Sequence, residues 1–149
     1  MMSGSFLEKE KRIMLKKTTT YTDYNGVERT EDVYFNLSKA ELTEMELEIE
    51  GGFNAYLRRI VSGQNMPEIV KTLKAIILKA YGEKSPDGKR FIKSKELSES
   101  FAQTEAYSQL FMELMSDAEA GAKFINGILP ADIAKQVAEQ GNKITMMPA

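Results

Sequence analysis

Carboxylates are the side chains of this chain that could perform acid–base chemistry or hold a cation. The 149 residues include 22 aspartates and glutamates but no histidine and no cysteine. Thiol nucleophiles, disulfides, imidazole bases and the common zinc ligands are therefore excluded. The densest acidic segment, residues 41–50, distributes its carboxylates around a helix without converging them on one point, which favours a solvated surface. We therefore predict no catalytic, cofactor-binding or metal-binding residue, no cofactor, and a protein that is not an enzyme.

The glycine-containing motifs predict no ligand site either. Asp87-Gly88 lacks the further oxygen ligands of a calcium loop, and neither Gly82 nor Gly88 is followed by the lysine and hydroxyl residue of a phosphate loop. The net charge of -2 gives no global attraction to nucleic acid or anionic lipid. No apolar segment approaches the roughly 20 residues of a membrane span. We expect a soluble protein with no nucleic-acid and no membrane partner.

Residues 21–42 predict a β-hairpin that is followed immediately by a helix. Asn25-Gly26 separates residues 18–23 from residues 27–37, and this dipeptide is typical of a two-residue type I′ turn. Ser38 and Glu41 have the spacing of a capping box, in which each side chain accepts a hydrogen bond from the backbone amide of the other residue. The ribbon should therefore be held rigidly on a helical body.

In the rest of the chain, apolar residues recur at helical spacing, which predicts helices that each bury one face. The fold class is mainly α, a bundle of about five to six helices with an N-terminal β-hairpin. Between the helices, residues 85–88 predict a turn, and Phe91-Ile92 are expected to pack back on the body. The predicted helices cover residues 38–50, 53–63, 67–82, 94–115, 116–127 and 130–141. The fifth of these helices is predicted to open with a second capping box, at Ser116 and Glu119.

The two ends of the chain are expected to lie outside a single domain at residues 14–140. Residues 1–13 combine a small polar segment with an unpartnered charge run, which predicts a disordered extension. Lys9-Glu10 can be encoded as AAG-GAG, a purine-rich ribosome-binding sequence, so Met14 is an alternative start. Residues 141–149 predict a flexible tail.

Two surfaces are candidates for binding a partner. Met112 and Met115 lie late on a predicted helix, where methionine suits partners of varying shape or fills gaps in a core. The other candidate is the hairpin, whose apolar side chains either cover the bundle or leave an edge for a partner strand. The hairpin residues in question are Tyr21, Tyr24, Val33 and Phe35.

The helix pair over residues 53–81 permits a different function. It can be drawn as a helix-turn-helix whose Lys71, Lys74 and Lys79 face DNA. Three points argue against DNA binding: the same lysines are expected on the solvent-exposed side of a core helix, the neighbouring helix is acidic, and the net charge is negative. A small acidic DNA-associated regulator is therefore kept as the alternative.

Several segments, taken in order and spacing, resemble the tail assembly chaperones of long-tailed, siphovirus-type bacteriophages and prophages of Gram-positive bacteria. No single one of them is chemically diagnostic, so the resemblance rests on their arrangement. The segments are residues 21–26 (YTDYNG), 34–42 (YFNLSKAEL), 81–85 (YGEKS), 90–93 (RFIK), 106–114 (AYSQLFMEL) and 124–130 (FINGILP).

This resemblance implies a non-enzymatic role in the cytoplasm of the infected host. Such a protein coats the long, aggregation-prone tape-measure protein, recruits tail-tube subunits, and is absent from the finished virion. The resemblance also implies a longer form made by ribosomal frameshifting, which would diverge within residues 140–149. That longer form and a second copy of the chain are further possible partners. The resemblance transfers no individual functional residue to this sequence.

Overall fold

The computed structural model describes residues 14–62, 66–130 and 133. Within these ranges the chain forms a four-stranded antiparallel sheet, in the order β1-β2-β3-β4, and six α-helices. The strands are β1 (Leu15–Thr22), β2 (Glu28–Phe35), β3 (Tyr81–Lys84) and β4 (Phe91–Ile92). The helices are α1 (Lys39–Glu48), α2 (Gly52–Ser62), α3 (Met66–Ala80), α4 (Lys95–Ala102), α5 (Glu105–Ser116) and α6 (Ala118–Ile128).

The predicted fold class is wrong, because the N-terminal hairpin is only half of the sheet. β3 pairs with the end of β2, Tyr34 opposite Gly82 and Phe35 opposite Tyr81, and β4 pairs with β3. The fold is therefore α+β. Strands of four and two residues are too short to carry a visible alternation; β3 forms by pairing with β2, which is far away in sequence, and β4 then pairs with β3. The sequence pattern consequently suggested a helix end at Gly82 and a loop beyond it.

The hairpin turn lies where it was predicted but has a different geometry. The Gly26 amide donates to the Asp23 carbonyl at 2.9 Å, so Tyr24 and Asn25 occupy the central positions and Gly26 follows with a φ of 80°. The predicted two-residue type I′ turn is therefore wrong. The Asp23 carboxylate explains the difference, since it accepts from the amides of Asn25 and Val27, both at 2.9 Å, and stabilises a wider turn.

The capping box that opens α1 is confirmed. The Ser38 hydroxyl accepts from the Glu41 amide at 3.2 Å, and the Glu41 carboxylate accepts from the Ser38 amide at 2.9 Å. Both exchanges satisfy amides that the first helical turn leaves without an intrahelical partner. The start of α1 is thereby fixed, with only two residues between the end of β2 and the cap residue Ser38.

The long helix predicted over residues 94–115 is wrong, because it is two helices. α4 ends at Ala102, and Thr104 caps α5 by accepting from the Tyr107 amide at 3.2 Å. The same hydroxyl donates to the Phe101 carbonyl at 2.7 Å, which holds the corner closed. A threonine followed by a glutamate was a local signal for this break.

The predicted limits of α6 are also wrong. The Asp117 carboxylate caps the helix by accepting from the Glu119 amide at 3.0 Å, so the second capping box does not form at Ser116. Asn126-Gly127 continue the helix to Ile128 and do not break it. A Cβ on Gly127 would lie 3.2 Å from the Leu15 side chain, so this glycine serves close packing on β1.

Three predicted segments fall largely outside the described residues. These are the N-terminal extension, the flexible tail and most of the helix predicted over residues 130–141. The predicted domain boundaries therefore stay predictions.

Phe35, at the end of β2, is the centre of the core. Its side chain has no exposed surface, and its ring makes edge contacts with Tyr81, Phe101 and Phe124 at centroid distances of 5.9, 5.8 and 5.1 Å. Tyr81 and Phe101 are stacked on each other at 4.2 Å. One residue of the hairpin therefore joins β3, α4 and α6.

Lys93 fastens the same region by polar contacts. Its Nζ donates to the Asn36 carbonyl at 2.6 Å and to both carboxylate oxygens of Glu41 at 2.8 Å. Burial opposes ionisation of Glu41, but the hydrogen bonds from Lys93 and from the Ser38 amide outweigh it and lower the pKa of Glu41. Burial also lowers the pKa of Lys93 despite the pairing, so the net stabilisation by this ion pair is modest.

Replacing Glu41→Gln should remove a pH-dependent part of the stability. Glutamine still accepts from the Ser38 amide, but it loses the charge opposite Lys93, and we expect a loss of about 1–2 kcal/mol at pH 7. A carboxylate with a lowered pKa stabilises the fold above its unfolded value of 4.5 and ceases to do so as pH falls through the folded value. Urea unfolding from pH 7 to pH 3 should therefore show the wild-type advantage shrinking below about pH 4.5.

Glu48→Gln is the matched control, because Glu48 is exposed on the same helix. A wild-type advantage over Glu41→Gln that stayed constant down to pH 3 would contradict the assigned role of the Glu41 charge.

Candidate partner-binding site

The hairpin presents one face to the helices and leaves its tip exposed. Phe35 and Tyr21 are buried and Val33 is half-buried, whereas the Tyr24 side chain at the tip is 80% exposed. The Tyr21 hydroxyl donates to the Glu31 carboxylate at 2.7 Å. Of the four hairpin residues predicted to bind a partner, Tyr24 is the one that another molecule reaches without rearrangement.

The structure places the hairpin beside the helix that carries the predicted methionines. Lys17 of β1 lies 2.5 Å from the Glu113 carboxylate of α5, and the Tyr24 hydroxyl lies 3.4 Å from the Glu105 carboxylate. Glu105 begins α5, so the tip and Met115 are separated along the helix by ten residues, or about 15 Å. The hairpin tip and the methionines are therefore neighbours on one unit but lie at opposite ends of α5.

The two methionines differ in environment. Met112 is 60% exposed, whereas Met115 is half-buried and packs against the core. Met115 lines an apolar pocket of about 80 Å³ between α2, α3, α5 and α6, which we call the α3–α5 pocket. Its lining consists of Tyr56 from α2, Met66, Ile69 and Leu73 from α3, Leu114 and Met115 from α5, and Ala118 and Gly121 from α6.

Exposed apolar side chains lie on α3 and α5, two of the helices that line the α3–α5 pocket, and we call Met66, Val70 and Met112 the rim. Met66 is 46% exposed, and Val70 follows it by one turn on α3. Met112 precedes Met115 by one turn on α5, which places both on the same side of that helix. Three of the six large apolar side chains that the described residues expose thus lie on these two helices. Two of the three are methionines, whose flexible thioethers adapt to differently shaped partners.

Tyr56 is the polar exception within this apolar pocket. Its side chain has no exposed surface, and its hydroxyl has no hydrogen-bond partner. Burial raises the pKa of Tyr56 above its usual value, so the hydroxyl is a neutral donor throughout the physiological range. Sequence reasoning missed Tyr56 as a site residue, because its position in the apolar stripe of α2 is typical of an ordinary core residue.

Gly121 determines how closely the walls of the pocket approach. A Cβ on Gly121 would lie 3.2 Å from the Leu114 carbonyl oxygen, so the absence of a side chain lets α6 cross α5 at short distance. Ala118, three residues earlier, is exposed and lines the pocket from the first turn of α6. This position therefore reaches the pocket from the surface.

The helix pair of the DNA-binding alternative is part of the core. α3 buries Ile69, Leu73, Ile76 and Ile77, and Lys79 lies 3.3 Å from the Glu44 carboxylate of α1. Nothing in this arrangement specifically favours DNA as the partner.

Among the residues that the structure describes, no group of three or more carboxylates could hold a metal ion. No helix in this part of the chain is long and apolar enough to cross a bilayer.

A protein-family model described as phage tail assembly chaperone matches residues 14–147 of the chain. The matched span includes the whole sheet and all six described helices. No curated protein and no solved structure shows significant similarity.

Two substitutions should distinguish a surface residue from a core residue among the predicted site. Met112→Gln removes an exposed apolar side chain and keeps a good helix former, so the free energy of unfolding should change by less than about 0.5 kcal/mol. Phe35→Ala empties the centre of the aromatic core and should cost about 3–5 kcal/mol. Urea unfolding of both variants measures these values, and a large loss in Met112→Gln would contradict the assignment of Met112 to the surface.

Proposed function

This chain belongs to the phage tail assembly chaperone family, and we propose on that basis that it binds the phage tape-measure protein. In this proposal it keeps the tape measure soluble and helps recruit tail-tube subunits during tail assembly. It acts in the host cytoplasm, is absent from the finished virion, and makes or breaks no covalent bond. The segments that resemble siphovirus-type chaperones favour a long-tailed phage of a Gram-positive host.

The observation that supports tape-measure binding is the α3–α5 pocket with its exposed apolar rim. A helix that lays its apolar face on such a surface anchors one side chain in the pocket and rests its neighbours on the rim. Methionines on the rim tolerate sequence variation along a long partner. Moderate affinity repeated along the tape measure would then give strong coating through multivalency.

The hairpin offers a separate surface for the tail-tube subunits. β1 is an edge strand of the described sheet and is eight residues long, so its outer backbone groups can pair with an extended segment of another protein. The exposed tip residues Tyr24 and Val27 lie at one end of this edge. A surface distinct from the pocket would let the protein hold a tape measure and a tube subunit at once.

Co-expression with the cognate tape-measure protein tests the proposal. The wild-type chain should raise the soluble fraction of the tape measure and co-purify with it. The double variant Met66→Gln/Met112→Gln should lower both yields by about tenfold, because it removes two exposed apolar contacts of about 1 kcal/mol each or less.

Leu47→Gln is the matched control. Leu47 is 84% exposed on α1, which contributes no residue to the pocket, so this variant should behave as the wild type. A tape measure whose solubility did not depend on the wild-type chain would refute the proposed function.

A further inference from the structure

The dipeptide Asn-Gly occurs twice in the chain, as Asn25-Gly26 and as Asn126-Gly127. In this dipeptide the backbone attacks the asparagine side chain most easily, because the glycine has no Cβ that would block the approach. The attacking group is the amide nitrogen of the glycine, and the target is the side-chain carbonyl carbon of the asparagine. Both dipeptides have the same intrinsic reactivity, so the local structure decides which of them reacts.

The first dipeptide lies at the exposed tip of the hairpin between β1 and β2. Asn25 and Gly26 are both exposed, and a Cβ built on Gly26 would meet no atom within 4 Å. The Gly26 amide donates to the Asp23 carbonyl at 2.9 Å. Attack on the Asn25 side chain therefore requires this hydrogen bond to open, while the strands below the tip stay paired from Thr22 and Glu28 onward.

The second dipeptide lies inside α6, where the backbone is held on both sides. Asn126 is exposed, so solvent reaches this side chain as well. Its neighbours Ile125 and Ile128 have no exposed surface, and a Cβ on Gly127 would lie 3.2 Å from the Leu15 side chain. Freeing the Gly127 amide would break helical hydrogen bonds and pull buried side chains out of the core. The two asparagines thus differ in the freedom of the backbone and not in their access to water.

The reaction at an Asn-Gly dipeptide balances with water as the co-reactant. The glycine amide loses its proton to solvent base, and its nitrogen then forms a bond to the side-chain carbon of the asparagine. The side-chain nitrogen takes up a proton and leaves as ammonia, which closes a cyclic imide. Water adds to one of the imide carbonyl carbons and breaks the bond from that carbon to the ring nitrogen. The product is an aspartate or an isoaspartate, and no atom is oxidised or reduced.

The Asp23 carboxylate opposes the opening of the hairpin tip. It accepts from the amides of Asn25 and Val27, both at 2.9 Å. These contacts anchor the residues on both sides of the Gly26 amide and resist the rotation that brings its nitrogen to the Asn25 side chain. The hydrogen bond from Arg29 lowers the pKa of Asp23, so the carboxylate stays charged in the alkaline range where loss of the amide proton is easiest.

We propose that Asn25 is a site of spontaneous deamidation in the folded protein, that the Asp23 carboxylate slows this reaction, and that α6 protects Asn126 from it. Each event replaces a neutral amide by a carboxylate, so the net charge of the chain changes from -2 to -3. The new charge lies at the hairpin tip beside the exposed side chains of Tyr24 and Val27. The reaction needs no partner, so it is independent of the proposed function.

Timed incubation of the purified full-length chain at mildly alkaline pH tests the proposal. Trypsin releases residues 18–29, which contain Asn25, and residues 124–135, which contain Asn126, so mass spectrometry follows the two sites separately. Deamidation raises the mass of a peptide by about 1 Da. In the folded protein, Asn25 should convert roughly tenfold faster than Asn126 or more. In concentrated urea the two sites should convert at similar rates, because the difference in backbone freedom is removed.

Asp23→Ala tests the role of the carboxylate at the tip. The loss of the hydrogen bonds to the amides of Asn25 and Val27 should speed the conversion of Asn25 by roughly 3- to 10-fold and leave Asn126 unchanged. Asp32→Ala is the matched control, because Asp32 is an exposed carboxylate on β2 that bonds the Thr18 hydroxyl and not the tip. A thermal melt shows that both variants are folded during the incubation.

Asn25→Gln is the control for the assignment of the mass change. Glutamine keeps the amide but adds a methylene group, so the larger ring closes much more slowly and residues 18–29 should keep their mass. Continued conversion of that peptide in Asn25→Gln would place the reaction at another residue and overturn the assignment.

The remaining outcomes overturn the inference in distinguishable ways. If Asn25 stays unmodified in the folded chain while both sites convert in urea, the hydrogen bonds of the tip prevent the reaction altogether. If Asn126 converts as fast as Asn25 in the folded chain, α6 gives no protection. If Asp23→Ala and Asp32→Ala convert Asn25 at the same rate, the Asp23 carboxylate does not control the tip.

Discussion

The burial of the Phe35 ring is the interaction on which the rest of the structure depends. Its neighbours Tyr81, Phe101 and Phe124 come from β3, α4 and α6, so four separate segments of the chain meet at one side chain. A two-stranded ribbon is only marginally stable in water, and this contact is what attaches the hairpin to a body that covers it. The Lys93 contacts with Asn36 and Glu41 close the polar side of the same junction. The hairpin, the short strands and α1 are therefore positioned together, which in turn fixes α5 along β1.

Sequence reasoning identified part of the local structure and missed the structure that forms only through distant contacts. The capping box at Ser38 and the apolar stripe of α3 are written into a few consecutive residues, and both are confirmed. β3 exists because β2 pairs with it, and β4 exists because β3 does, while the pattern of residues 81–92 alone suggests a helix end and a loop. At Asn126-Gly127 the local signal was misleading. This dipeptide usually breaks a helix, but here it continues α6, and the missing side chain of Gly127 makes room for Leu15. The corner at Thr104 was a local signal that was overlooked.

The candidate site was only partly predictable for the same reason. Methionine is conspicuous in a sequence, so Met112 and Met115 were identified from residue type alone. The α3–α5 pocket combines residues from four helices separated by up to 65 positions, from Tyr56 to Gly121. Tyr56 in particular has the spacing of a core residue, and its unpaired hydroxyl becomes visible only when its neighbours are known. The hairpin residues illustrate the converse, since aromatic type and alternation cannot distinguish the buried Phe35 from the exposed Tyr24.

The packed aromatic hub and the exposed apolar rim lie in different parts of the fold. Phe35 and the ion pair at Lys93 hold the framework, and neither of them lines the α3–α5 pocket. Two of the three rim residues are methionines, whose side chains change rotamer at little energetic cost. For the function proposed above, the coating of a long polypeptide of varying sequence, contacts that are individually weak and adaptable are an advantage, because many of them act together.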